Sequence, residues 1–190
     1  MKPAIISSLA ALLAATVTAQ DRPSSFTVMA LRSASPIHFL PMQAAGRHFW
    51  LGGKPSTYCP VQVGDNCPPG NHTVISGLTS LSVLVPGGQR MYVEPSGALG
   101  FTQAHSIYIP PGSIQYGFEY TPGTEFGIYG FTGFGATGWM ACPVPDRPSY
   151  QVFAAMRNAT VPSGDVDDCL GFSAAAIEYK GPSPAAWQYA

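Results

Sequence analysis

Charge is what this 190-residue chain has least of: nine Lys and Arg and ten Asp and Glu leave a formal net charge of −1. Charged residues make up 10% of the chain, where about 25% is usual. The basic residues are scattered from Lys2 to Lys180, so no stripe exists to neutralise phosphates, and nucleic acid is not an expected partner. Long stretches free of helix breakers are scarce as well, since a Gly or Pro interrupts nearly every window. With 21 Gly and 19 Pro spread along the sequence, amphipathic helices with a charged outer face are excluded. The chain has no GxSxG elbow, no HExxH pair and no CxxC pair. Its only acidic cluster, Asp165, Asp167 and Asp168, lacks the central Gly and terminal Glu of a calcium loop and reads as a solvated turn. No metal, no cofactor and no enzymatic activity is therefore expected. Disorder is opposed by a composition that is 46% hydrophobic and 12% aromatic.

What is present begins with a leader. Lys2, the apolar run from Ile5 to Ala15 and the small residues Val17-Thr18-Ala19 read as a secretory signal peptide over residues 1–19, too short and too polar at Ser7 and Ser8 for a membrane span. Cleavage there would leave Gln20 first, so copper chemistry that uses an N-terminal His is not expected. The last residues lack the apolar run of a glycolipid-anchor signal, so no membrane anchor is expected. Four cysteines, Cys59, Cys67, Cys142 and Cys169, are an even set for an oxidising compartment. Of their three connectivities, Cys59–Cys67 with Cys142–Cys169 is preferred, because it closes one short Pro- and Gly-flanked loop and ties the last third of the chain together. Zinc is the alternative, without the usual Cys/His spacing. Asn71-His72-Thr73 and Asn158-Ala159-Thr160 are N-glycosylation sequons.

Short β-rich runs recur between specified turns, among them Phe26 to Leu31, Ile37 to Met42, His48 to Leu51, Arg90 to Glu94, Leu99 to Gln103, Ser106 to Ile109, Phe126 to Phe131, Gly138 to Cys142, Tyr150 to Met156 and Leu170 to Tyr179. Pro86-Gly87-Gly88, Pro95-Ser96-Gly97, Pro110-Pro111-Gly112 and Pro122-Gly123 supply preset φ and positive-φ positions between them. Met91 to Glu94 with Ala98 to Phe101 is the clearest hairpin. The expected fold is all-β: one closed domain of about twelve short strands over residues 20–180, a β-trefoil-like barrel preferred and a β-sandwich the alternative. Loose similarity among Gly46 to Gly52, Gly88 to Val93 and Glu125 to Gly130 hints at a threefold repeat. Residues 181–190 read as a flexible tail, and Ala174 to Ile177 as a possible helical turn.

Candidate chemistry is sparse. Two-carboxylate hydrolysis needs acids about 5–10 Å apart, and only Glu119 and Glu125 lie near each other in sequence, around an exposed turn. Ten Phe, nine Tyr and three Trp are the plentiful material. Sugars stack on exposed aromatic faces, so Trp50, Tyr92 and Trp139 are the glycan-stacking candidates, with Trp187 beside them, although most large aromatics belong to the core.

The residues themselves carry a resemblance. Ser35-Pro36-Ile37-His38, His48-Phe49-Trp50-Leu51-Gly52-Gly53, Tyr58-Cys59-Pro60 and Cys67-Pro68-Pro69-Gly70-Asn71 stand in order along the chain. They are followed by Val93-Glu94-Pro95-Ser96-Gly97-Ala98-Leu99-Gly100-Phe101-Thr102, the run from Phe134 to Pro143, Asn158 to Gly164, and Asp167-Asp168-Cys169-Leu170-Gly171-Phe172. This set resembles the PhiA family of secreted fungal cell-wall proteins, named for phialide development. The resemblance implies an extracellular, wall-associated, non-enzymatic protein that supports phialide and conidium formation, hence asexual sporulation, and protects the wall under stress. It also implies that Asn71 and Asn158 are glycan sites, and it offers no catalytic residue. Wall polysaccharide is the partner it suggests; a small secreted glycan hydrolase and a lectin-like antimicrobial effector are the alternatives.

Overall fold

The computed structural model describes residues 22–190, so the leader expected over residues 1–19 lies outside the described residues. Among the described residues fourteen strands form, most of them two to five residues long. The first seven are β1 (Ser25–Leu31), β2 (Met42–Ala45), β3 (His48–Leu51), β4 (Thr57–Tyr58), β5 (Ile75–Ser76), β6 (Ser80–Leu81) and β7 (Met91–Val93). The rest are β8 (Leu99–Phe101), β9 (Phe118–Thr121), β10 (Gly127–Phe131), β11 (Trp139–Pro143), β12 (Tyr150–Ala154), β13 (Leu170–Glu178) and β14 (Gln188–Tyr189). Between strands sit only short 3-10 turns, at Val61–Asn66, Gly133–Gly135 and Val166–Asp168. Gly and Pro interrupt most of the described sequence, and its longer breaker-free runs, such as those holding β1 and β12, form strands.

Twelve strands belong to one sheet in the order β6-β5-β1-β13-β11-β12-β3-β8-β7, with β10 and β9 branching from β13 and β2 attached to β3. Every pairing between named strands is antiparallel, and β13 is the organiser. Ser173 to Glu178 pair with β1, Leu170 to Phe172 with β11, and Ala175 and Ala176 with β10. The run Ala174 to Ile177 is therefore strand and not a helical turn. Its small side chains let flanking strands approach, and Ala174 and Ala176 enter the core.

The all-β expectation holds, and the preferred closed barrel does not. The terminal strands β6 and β7 meet through the single isolated bridge Ser80 to Arg90, and the sheet forks at β13 instead of closing with a regular stagger. This arrangement is consistent with the sandwich alternative. The threefold repeat is absent too: its three segments fall on β3 and β7, which both flank β8, and on β10, which pairs with β13 and β9.

Period-two alternation places the core. In β1, Phe26, Val28 and Ala30 point inward while Ser25, Thr27, Met29 and Leu31 are half-buried. In β3, Phe49 and Leu51 are wholly buried and His48 and Trp50 lie on the other face. The interior adds a cluster of rings: Trp139 lies 5.3 Å from Phe131, 5.9 Å from Tyr129 and 6.0 Å from Phe118, centroid to centroid. The expected hairpin forms as β7 and β8, with Val93 opposite Leu99 and Gly97 at φ 91° accepting the turn that Pro95 opens.

Two runs behave differently from the strand expectation. Ile37 is buried within a turn that ends at Phe39, whose φ is 64°; Pro41 makes an isolated bridge with Met29, and the strand β2 begins at Met42. Ser106 to Ile109 is a surface loop, with Ile107 99% exposed.

Within residues 181–190, Gly181 to Ser183 are exposed, whereas Ala185, Ala186 and Tyr189 are buried and β14 pairs with β4. The Tyr189 hydroxyl donates to the His72 carbonyl at 2.7 Å and accepts from the Val74 amide at 3.1 Å. The buried Gln89 amide accepts from the Tyr189 N–H at 2.8 Å and donates to the Tyr189 carbonyl at 2.9 Å. An aromatic with two buried polar partners anchors a segment that its Gly181-Pro182-Ser183-Pro184 approach makes look loose.

Candidate functional site

The site is assembled on the face of β3 turned away from the core. His48 and Trp50 share that face because Phe49 and Leu51 take the other. Trp50 stands between Gln43 of β2 and Gln151 of β12, its register partners on either side. Its indole N–H donates to the Ala45 carbonyl at 2.9 Å, which fixes the ring against the turn joining β2 to β3. The loop from β11 to β12 returns over this face and sets the Arg147 guanidinium carbon 5.4 Å above the ring centroid. The Arg147 amide donates to the Val144 carbonyl at 3.1 Å, so the loop holds a turn under that side chain. His48 lies 3.8 Å from the Glu94 carboxylate through Nε2, and its Nδ1 lies 3.1 Å from the Gly46 carbonyl. Together Trp50, His48, Arg147, Gln151 and Pro162 line an open groove of about 490 Å³.

A second small core supports one side of this groove. Ala98, Met140, Cys142, Phe153 and Val161 pack together, with Cys169 against them. The Cys142–Cys169 disulfide pins the segment after the 3-10 turn Val166–Asp168 to β11. Cys59 and Cys67 form the other disulfide, so the preferred connectivity is the one present. Asp165 accepts from the Asp167 amide at 2.9 Å and thus caps that 3-10 turn.

Of the three stacking candidates, only Trp50 keeps surface. Trp139 is 3% exposed, a core ring whose indole N–H donates to the Tyr129 carbonyl at 3.0 Å. Tyr92 is 5% exposed because it lies across its register partner Gly100, where a Cβ would come within 2.7 Å of the ring. Burial, and next the nearby Glu94 carboxylate, push the Tyr92 hydroxyl above its usual pKa. Neither ring offers a face to a ligand in this fold. Trp187 is half-buried in the packed tail.

Glu119 and Glu125 are not brought together around one groove. Glu119 accepts from the Thr132 hydroxyl at 2.8 Å, whereas Glu125 lines a separate groove with Glu178, and Glu178 lies 3.3 Å from Lys180. The histidines are dispersed: His38 accepts from the Arg32 amide and stacks on Phe39, while His72 gives its carbonyl to Tyr189. Among the described residues no group of three His, Cys, Asp or Glu is placed to hold a metal ion. Among them, too, no helix is long and apolar enough to cross a membrane.

Both sequon asparagines are exposed. Thr160 is exposed as well, but Thr73 is 3% exposed, its hydroxyl accepting from the Ala44 amide at 2.8 Å and donating to Gln43 at 3.0 Å. Sequence reasoning missed Arg147, which no motif marks. The Pro145-Asp146-Arg147-Pro148 run marks a turn between two apolar strands, but nothing in it points to Trp50.

A family model described as PhiA-like secreted protein matches residues 26–190. A protein of Arthroderma benhamiae described as an uncharacterized secreted protein is 63% identical over 171 residues, covering 89% of this chain and 88% of that one. No solved structure matches the chain. The resemblance seen in the motifs thus extends over the whole described β domain, including the packed tail, and the chain belongs to the PhiA-like family of secreted proteins.

Proposed function

We propose that this secreted protein is a non-catalytic component of the fungal cell wall, which binds wall glycan through the Trp50 groove and supports phialide and conidium formation. The observation that carries the reading is Trp50: among the three stacking candidates it alone lies on the outer face of the sheet, fixed by its indole hydrogen bond and flanked by polar side chains. A rigid amphipathic ring beside amide and guanidinium donors is the usual equipment for holding a sugar without reacting with it. The near-neutral charge and the two disulfides suit residence among neutral polymers outside the cell. Glycans on Asn71 and Asn158, both exposed, are part of the same reading.

The test has two arms. Purified protein is titrated with β-glucan, chitin and mannan oligosaccharides while the solution is assayed for new reducing ends, with Glu119→Gln as the control for hydrolysis. Binding without turnover is expected, weakened at least fivefold in Trp50→Ala; turnover that is lost in Glu119→Gln would replace this reading with the hydrolase one. In the organism, deletion of the encoding gene is expected to impair conidiation, and normal conidiophores would refute the developmental part.

A further inference from the structure

The groove carries a feature that a bare sugar platform lacks. One face of the Trp50 ring is covered by the Arg147 guanidinium, 5.4 Å from the centroid. A guanidinium stacked on an aromatic face still presents its N–H donors at its edge, in a planar fork that matches an oxyanion. Arg147 makes no ion pair among the described residues, where the only two are His48 with Glu94 and Lys180 with Glu178. No carboxylate lines the groove; its lining contains two basic side chains, Arg147 and His48, and one amide, Gln151. Glu94, the acid beside His48, is already engaged, lying 3.8 Å from His48 and accepting from the Ser96 hydroxyl at 3.3 Å. Asp146 is adjacent in the loop but is exposed and does not line the groove. The indole, in turn, is tied to Ala45 and acts as a fixed support under a side chain that would otherwise be free.

From this juxtaposition we infer that the groove recognises an oxyanion-bearing sugar, a hexose carrying phosphate or carboxylate, with Arg147 as the anion-binding residue and Trp50 as the residue that positions it. The inference rests on the glycan-binding reading above and narrows its ligand class. It gives the groove a selectivity that the nearly neutral molecule as a whole does not have. The phosphate and carboxylate forms share the contact and differ in geometry, so the experiment separates them.

Three probes of one length are titrated into the purified secreted protein at 0.15 M salt: a neutral mannose oligosaccharide, the same oligosaccharide phosphorylated, and a glucuronate-terminated oligosaccharide. At least one anionic probe is expected to bind about tenfold or more tighter than the neutral one, as charge-assisted pairing predicts. Arg147→Gln is expected to abolish that preference. Arg147→Lys retains only part of it, because a point charge replaces the fork. Lys180→Gln, remote from the groove, leaves it unchanged. Equal affinity for neutral and anionic probes overturns the inference and leaves glycan binding standing. An anionic preference that survives Arg147→Gln, or falls equally in Lys180→Gln, also overturns it. Binding of no probe overturns the inference, and if the neutral β-glucan, chitin and mannan series also fails to bind, it overturns the broader reading with it.

Discussion

At the scale of single residues, the strongest consequences come from buried groups whose partners are fixed. Gln89 is 1% exposed and clamps both the amide and the carbonyl of Tyr189, while its Nε2 also donates to the Thr102 carbonyl at 2.9 Å. Gln89→Ala leaves those groups buried and unpaired, and a loss of about 2–4 kcal/mol is expected in urea unfolding. Burial also pushes the Tyr189 hydroxyl up to about 12 from 10.0, and raises the fully enclosed Tyr129 well above its usual value. In each case the folded form holds its proton after the unfolded form has lost it. Stability contributed by these hydroxyls is therefore complete below pH 10 and falls as pH rises through the folded values. For Tyr189 the loss amounts to on the order of 2–3 kcal/mol between about pH 10 and 12. Unfolding midpoints measured from pH 9 to 12 are expected to decline, and Tyr189→Phe to decline less steeply; identical slopes in the two proteins would contradict the assignment. The two tryptophans make a further contrast. Trp139→Ala empties a ring cluster and is expected to cost about 3–5 kcal/mol, whereas Trp50→Ala should cost less than about 1.5 kcal/mol.

At the scale of elements, turn chemistry was the legible signal and pairing partners were not. The β7 and β8 hairpin is written in Pro95-Ser96-Gly97 and two apolar arms, and it forms in register, with the Gly97 amide donating to the Glu94 carbonyl at 2.8 Å. His48 to Leu51 is legible in the same way, since strict alternation separates Phe49 and Leu51 from His48 and Trp50. Ser106 to Ile109 has the same apolar content, but Pro110-Pro111 removes the donors a ladder needs and the run stays on the surface. Nothing local says that β13 will pair with β1, β11 and β10 at once, because those partners lie up to about 150 residues away in sequence. Arg147 was illegible for the same reason: its meaning comes from Trp50, which only the β3 and β12 pairing places beneath it. The disulfides act at this scale too. Cys142–Cys169 spans 27 residues and Cys59–Cys67 spans 8. On loop entropy alone, removing the first is expected to destabilise the fold by about 3–4 kcal/mol and the second by about 2–3 kcal/mol. Paired Cys→Ala variants compared by chemical denaturation check that order.

At the scale of the whole molecule, scarcity of charge and density of turns produce a branched antiparallel sheet whose core is shared by strands from both ends of the chain. Residues 185, 186 and 189 are buried beside strands from the first half, so removal of residues 184–190 is expected to abolish cooperative unfolding instead of trimming a loose end. This architecture leaves the outer face of β3, with the Arg147-bearing loop between β11 and β12 over it, at the surface of a secreted protein, and that face is the proposed recognition surface. The central claim is that this surface, and no catalytic centre, is how the molecule meets the wall. The most direct measurement is sedimentation of the purified protein with isolated fungal cell walls, wild type against Trp50→Ala, with the supernatant assayed for released sugar. The account predicts that the wild type co-sediments, that Trp50→Ala stays folded but remains mostly in solution, and that no sugar is released. Equal sedimentation of both proteins, or release of wall sugar by the wild type, would contradict it.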